Sequence, residues 1–422
     1  MTVKEFLERH GFYTDLDLSA LTKDFNKDMD KGLSGNKSFQ DMIRTYIDPT
    51  EITMKEKSVI VIDAGGTNFR SSLATFAKDG SLSLSQFEKT RMPGTEGELS
   101  KKEFFTQIAR NIERFKDSCD EICFCFSYAM TITEDRDGIL DNFSKEVKAP
   151  EVVGSHIGAE LKKTLKECGW TKIPEVILLN DTASALLAGT GSTTKKYSSY
   201  IGFILGTGLN AAYVQPAKSE YNLNKKQIIV CESAKFGGFK NSDFDIILDE
   251  KSVAPGVAPY EKLCSGAYLG PLALEVIQMG AKEDLFSKEF AAELSERKSL
   301  TLIEVNEFLT ESKENSYKKI FEKATNDDYK ILFEIFDSLV NRMAQLAAII
   351  LAACIIQTEA GTKADEPICV ACNGTSFFRT YKVIERTKAY LAKILEGKNL
   401  HYELLPEEVD ITRGTALAAF SA

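Results

Sequence analysis

The chain has 422 residues, which at about 150 residues per domain predicts two to three domains. Apolar residues make up 43% and charged residues 27%, both ordinary for a globular protein, so a disordered, collagenous or coiled-coil chain is excluded. A net charge of −10 argues against nucleic acid as a partner but leaves room for a small anion held by backbone N–H groups and a few cations.

The first nine residues are charged and lack an apolar core, which argues against a secretory signal and for a cytoplasmic protein. Residues 3–47 read as helical, with apolar positions at Leu7, Leu18, Leu21, Phe25, Met29 and Leu33. Residues 58–63 form a continuous apolar run ending in Ala64-Gly65-Gly66-Thr67, and strand character resumes over 68–76. This is a hairpin closed by glycine. Helix 101–116, strand 121–128, a loop over 138–142, helix 154–168 and strand 175–179 follow. Lone Trp170 is expected at a surface edge. A short Ala-rich helix follows Asp181-Thr182. Residues 199–214 repeat the earlier device, with strand 200–205, the turn Gly206-Thr207-Gly208 and return strand 209–214. Strand 226–232 ends at Glu232. Helices then cover 260–279, 288–297, 302–311, 327–358 and 379–396, with a strand at 366–371 and a last helix over 412–421. The stretch 311–329 reads as solvated helix faces and loop. Leu346 to Ile356, eleven residues, is the longest apolar stretch; it is too short for a membrane span and predicts a buried helix, so no membrane partner is expected.

The alternation of strands and helices predicts α/β layers. Aligning Gly66 with Gly208 places Asn68 on Asn210, so a duplicated unit with a cleft between its copies is the simplest architecture. The nine cysteines are an odd number scattered in apolar runs, which predicts reduced core thiols. Cys369 and Cys372 form a C-x-x-C, but residues three apart in a strand point to opposite faces, which favours core packing over a metal site. The three histidines, His10, His156 and His401, lie away from every motif, so histidine triads and zinc hydrolases fit poorly.

A glycine turn between strands lets backbone N–H groups approach a phosphate without side-chain clash. In Asp63-Ala64-Gly65-Gly66-Thr67-Asn68 the strand-end carboxylate suits Mg²⁺ through water, and the threonine hydroxyl adds a donor. A tight hairpin that needs glycine for its backbone alone is the plainer explanation. The second turn favours phosphate, because two such turns can grip one polyphosphate from both sides. Gly206, Gly208 and Ala211 also match a dinucleotide fingerprint, but that fingerprint requires a following helix and 210–214 reads as strand. Asn180 and Asp181 stand at a strand-to-helix switch, where ligand crevices form, although helix capping explains them equally. Glu232 ends another apolar strand, Ser144-Lys145 follows the 138–142 loop, and Glu261 precedes Gly266. Asn180, Asp181, Asn210, Glu232 and Glu261 supply the paired donors and acceptors a polyol needs. Each alone also suits a turn, a cap or a solvated charge; their coincidence with two turns is what points to a sugar.

At these residues the sequence resembles the eukaryotic-type hexokinase and glucokinase family of the actin-like sugar-kinase superfamily, in order and over nearly the whole chain. Asp63 to Arg70 resembles its first phosphate motif. Phe126-Ser127-Tyr128, Gly138-Ile139-Leu140 and Ser144-Lys145 resemble its sugar-contacting segment, and Leu179 to Thr182 the segment holding its base. Gly206 to Asn210 is similar to the second phosphate motif with its sugar-binding Asn. Glu232 stands where the family has Glu in N-T-E-W-G-A-F. Pro255-Gly256, Tyr260-Glu261-Lys262 and Ser265 to Gly270 follow the pattern, and Asn373-Gly374-Thr375 resembles the adenosine-side motif.

The resemblance implies an α/β fold with two ribonuclease-H-like, actin-like ATPase domains around an interdomain cleft that closes on sugar. A small domain would comprise 56–181 and 411–422, and a large one 1–55 and 182–410. It implies transfer of the ATP γ-phosphoryl group to the 6-hydroxyl of a hexose, with glucose expected. Asp181 would take the hydroxyl proton, Lys145 would bind the sugar and offset developing charge, and Arg70 would stabilise the transferring group. Ser127, Ser144, Lys145, Asn180, Asp181, Asn210, Glu232 and Glu261 would bind sugar. Asp63, Gly65, Gly66, Thr67, Asn68, Gly206, Thr207, Gly208, Gly374 and Thr375 would bind ATP, with Asp63 holding Mg²⁺ through water. Three departures stand out. Ala129 replaces a family Pro, and Val230 and Ser233 replace Asn and Trp around Glu232. The glycine-rich C-terminal run is reduced to Asp410–Ala416, with two glycines lost. These keep two alternatives open: a kinase for mannose, fructose or an amino sugar, and a sugar sensor without turnover.

Overall fold

The computed structural model describes residues 1–50, 52, 55–143, 147–191, 195–310 and 320–421. Its strands, in chain order, are β1 (Ile43–Arg44), β2 (Lys57–Gly65), β3 (Asn68–Phe76), β4 (Leu82–Arg91), β5 (Glu121–Phe126), β6 (Ala129–Ile132), β7 (Gly138–Asn142), β8 (Glu175–Leu179), β9 (Ser199–Leu205), β10 (Leu209–Gln215), β11 (Gln227–Val230), β12 (Ile368–Asn373) and β13 (Tyr402–Leu404). The first sheet runs β4-β3-β2-β5-β8 and the second β1-β11-β10-β9-β12-β13, while β6 and β7 form a separate ribbon. In each sheet three strands meander antiparallel, and two more join parallel on the far side of the first. The two units therefore share one topology, with β1 added at the edge of the second, as expected of a duplicated unit.

The apolar run that became β2 is buried on both faces. Val59 and Val61 enter a core shared with Ala212, Val214, Ile228 and Val230 of the second sheet, while Ile60, Ile62 and Ala64 face the core on the other side. A strand covered on both sides loses the apolar–polar alternation. The same shared core contains two helices that cross between the sheets. Helix Asp181–Thr190, which follows β8 of the first unit, packs on β9 and β12 of the second. Helix Ile411–Leu417, which follows the last strand of the second unit, packs back on β2 of the first. They cross so closely that a Cβ at Gly414 would collide with the Ser184 carbonyl, and the Thr415 and Ser184 hydroxyls hydrogen-bond at 3.0 Å.

The long helix Asn326–Gln357 is buried on every side from Leu346 to Ile355. Length and hydropathy alone would let it cross a membrane, but 89% of its most apolar window lies inside the protein. A helix apolar all round belongs in such a core. Cys369 and Cys372 face opposite cores from one strand, and burial pushes the Cys369 thiol up to about 12.

Several expectations are corrected. Residues 3–47 are not one helical region: helices Val3–Arg9 and Leu18–Leu33 end, the Asp28 carboxylate takes the Phe39 and Gln40 N–H groups at 3.0 Å, and the chain extends into β1. The 138–142 loop is strand β7. The 260–279 helix is broken into Pro259–Lys262 and Leu269–Lys282, because the Gly266 and Ala267 N–H groups turn to the Gly206 and Thr207 carbonyls. Trp170 is 3% exposed and belongs to the core behind the first sheet, not to a surface edge. Strand β4, which was not among the expected elements, is exposed along most of its length, its Leu84 and Phe87 included. Helix Asp243–Lys251 was not among the expected elements; its Ser242–Asp245 capping box is the local signal that marks it.

Candidate active site

The first hairpin closes with Gly65 opposite Asn68, leaving Thr67 exposed at its tip. Asp63 and Arg70 stand directly opposite on β2 and β3, and Arg70 Nη1 donates to Asp63 Oδ2 at 2.6 Å. Two residues assigned separate roles are therefore one ion pair. The segment after β5 is tied to this hairpin. The Ser127 N–H donates to the Ala64 carbonyl at 3.0 Å, and the Tyr128 hydroxyl donates to the Gly66 carbonyl at 3.1 Å.

The second hairpin closes with Leu205 opposite Leu209, leaving Thr207 exposed at its tip as Thr67 is at the first. The Gly206 carbonyl accepts from the Gly266 N–H at 2.8 Å and from the Ser376 hydroxyl at 2.9 Å. Gly374 packs beside this turn at φ +120°, a backbone angle that side chains resist, and its N–H donates to Glu408 Oε1 at 2.8 Å. Thr375 follows at the start of helix Thr375–Arg379. Glu261 Oε2 accepts the Leu209 N–H at 2.9 Å and lies 2.8 Å from where a Gly208 Cβ would sit, so this carboxylate braces the turn from behind.

Asn180 caps helix Asp181–Thr190, its Oδ1 accepting the Thr182 N–H at 2.9 Å. The capping explanation is correct for that oxygen, and the residue also lines a cleft. Tyr128, Met130, Ile132, Leu178, Leu179 and Asn180 of the first unit face Ile43, Thr45, Val230 and Glu232 of the second across this cleft. Asp181 is half-buried beside Asn180. It and Asp63 both act on the Cys125 thiol, which burial first and then these two charges push well above its ordinary value. Both carboxylates are thus within electrostatic reach of one buried thiol. Glu232 has left-handed backbone (φ 57°) and accepts from Asn210 Nδ2 at 2.8 Å. Asn210 Oδ1 takes the Ala211 N–H at 2.8 Å and the Ser233 N–H at 3.1 Å, so the amide cannot turn away. Burial pushes the Glu232 carboxyl above its usual range, against the pull of Lys235 and Asn210.

Ser144 and Lys145 lie outside the described residues. The other predicted residues gather around the two turns and the cleft. Sequence reasoning missed Glu408 and Ser376, which are joined to the site by contacts distant along the chain, and Lys235, which lies one turn beyond Glu232. For Mg²⁺ the donor set fits an ion carried mainly by substrate phosphates. Asp63 offers one carboxylate, and among the described residues no three His, Cys, Asp or Glu are placed to hold a metal.

Family models described as hexokinase match residues 2–190 and 200–421. Hexokinase-1 of Schizosaccharomyces pombe is 25% identical over 447 residues, covering 99% of this chain and 90% of the relative. Glucokinase of Aspergillus niger is 26% identical over 397 residues, covering 79% of each. Among solved structures, hexokinase from Schistosoma mansoni complexed with glucose superposes with a TM-score of 0.80 at 22% identity, covering 99% of this chain and 98% of that one. That likeness establishes the two-domain actin-like fold.

Proposed function

The chain belongs to the hexokinase family, and from that premise we propose that it phosphorylates glucose at the 6-hydroxyl with Asp181 as the base. The chain is a phosphotransferase that moves the γ-phosphoryl group of ATP to a hexose. One observation supports the site: Asn180 of the first unit and Glu232 of the second face one cleft, Tyr128 of the same lining being bonded to the first glycine turn and Glu232 to Asn210 just after the second.

In this reading the hexose lies between Asn180, Asp181, Asn210, Glu232 and Glu261, with Ser127, Ser144 and Lys145 from the first unit. Asp181 accepts the hydroxyl proton as the oxygen attacks. The two turns hold the phosphates, Thr67 and Asn68 from one side and Thr207 and Gly208 from the other, while Gly374 and Thr375 border the adenosine. Arg70 and Lys145 offset charge on the transferring group; such catalysis rests on positioning and electrostatics. Mg²⁺, when bound with ATP, would neutralise phosphate charge, with Asp63 as its water-bridged carboxylate. Cleft closure keeps water from competing as acceptor.

Val230 lines the cleft beside Glu232 as an apolar edge, which favours, as a second reading, a hexose differing from glucose there, such as mannose, fructose or an amino sugar. A matrix of donors (ATP, ADP, polyphosphate) against these acceptors, read by hexose phosphate release, tests both. Highest kcat/KM with ATP and glucose is expected. Preference for another sugar supports the second reading, and binding without turnover for every pair overturns both.

A further inference from the structure

Glu232 accepts from a sugar hydroxyl fully only when ionised, since a protonated carboxyl becomes a donor and loses acceptor capacity. Its surroundings oppose that state. Val230 and Ile43 on its own side, and Met130, Leu178 and Leu179 opposite, make the cleft wall largely apolar. Two carboxylates act on it as well: Asp41 from the segment leading to β1, and Asp141 on β7 from the opposite unit. Asn180 and Asn210 add polarity without charge, and the adjacent Cys231 thiol is buried.

Among the described residues, the cation of Lys235 opposes them. Lys235 lies in the same helical turn, its N–H donating to the Glu232 carbonyl at 3.0 Å. Its half-buried side chain is pinned by an ion pair from Nζ to Asp41 Oδ2. Burial would discharge this ammonium, but Asp41, Glu232 and Asp141 hold its proton more firmly than usual.

We propose that Lys235 is a positioning residue for hexose recognition, its Asp41-anchored ammonium keeping the Glu232 carboxyl ionised as the acceptor of a sugar hydroxyl. The inference rests on Glu232 as a sugar ligand. The carboxyl band of Glu232 is isolated by infrared difference against Glu232→Gln and titrated in the full chain from about pH 4 to about pH 8. Wild type, Lys235→Met and Lys235→Arg are compared, with hexose KM and kcat measured alongside. In Lys235→Met the Glu232 midpoint moves up by about one pH unit, and hexose KM rises about tenfold below that midpoint with kcat little changed. KM returns to the wild-type value at alkaline pH, and Lys235→Arg restores the wild-type profile. An unmoved midpoint, or a KM rise equal at every pH and not rescued by Arg, overturns the proposal. A wild-type chain that phosphorylates no hexose overturns the reading of the site; the infrared midpoint then still decides the coupling of Lys235 to Glu232.

Discussion

Asp181 is the first residue of its helix, and Asn180 immediately before it uses its Oδ1 to cap the Thr182 N–H. The cap anchors the helix start, so the neighbouring carboxylate is held at the cleft by backbone rather than by a flexible loop. A base that acts only on the attacking hydroxyl contributes to kcat more than to sugar affinity. Asp181→Ala is therefore expected to lower kcat by about 10²–10⁴-fold. Hexose affinity, measured by calorimetry, should stay within a few-fold of wild type. Near-normal kcat would remove Asp181 from the chemistry. The Asp63–Arg70 pair belongs to the same scale: each neutralises the other, so neither stands as an isolated charge beside the first turn.

At the scale of elements, the long helix Asn326–Gln357 is keyed to helix Asp243–Lys251 by one buried fork. Arg342 Nη1 and Nη2 donate to the two Asp245 oxygens at 2.9 and 2.7 Å, with both side chains at most 2% exposed. The guanidinium also lies 4.3 Å from the centre of the Phe12 ring, which draws the N-terminal segment into the same joint. Burial alone would raise the Asp245 carboxyl, but Arg342 and the Ser242 bonds hold it below its usual range. A depressed carboxyl contributes stability above its unfolded value and loses it as pH falls through the folded one. Arg342→Met leaves that carboxylate buried and unpaired, at a cost of about 3–5 kcal/mol. Urea midpoints should separate most from wild type near neutrality and converge on acidification, as the stranded carboxyl takes a proton. A constant gap across pH would show that lost packing, not the ion pair, carries the effect.

For the whole molecule, the exchanged helices matter most. Each unit sends its last helix onto the other's sheet, and the two cross at Gly414 and Ser184 in a core common to both. A joint built from two short helices permits rotation of the units about their crossing while keeping them packed. We expect 56–181 with 411–422 to swing as one body against 1–55 with 182–410 when hexose bridges Asn180 and Glu232. Small-angle scattering should record a smaller radius of gyration on adding glucose, with none on adding a sugar the chain does not phosphorylate. Unchanged scattering at saturating glucose would count against closure. The C-terminal run has lost two family glycines yet keeps Gly414, the one at which the crossing leaves no room for a Cβ.

The sequence by itself determined the repeated strand–turn–strand units, the continuous apolar strands, the buried apolar helix and the polar residues that stand at strand ends beside the turns. These are local signals: an unbroken apolar run, glycines between strands, a polar pair at a strand end. It did not reveal β4, a mostly exposed edge strand, nor β7, whose five residues look like a loop until β6 pairs with them. Trp170 was misplaced because burial of a lone aromatic depends on what folds over it. Only the tertiary structure decided that Asp63 and Arg70 neutralise each other, that Glu261 braces the second turn, and that Glu232 faces Asn180 across the cleft with Lys235 at its side. Charge compensation, burial and close approach depend on how the folded elements set side chains against one another, so even Asp63 and Arg70, opposite each other in one hairpin, show their pairing only in the fold, while Glu261 and the second turn, or Glu232 and Asn180, lie far apart in the chain.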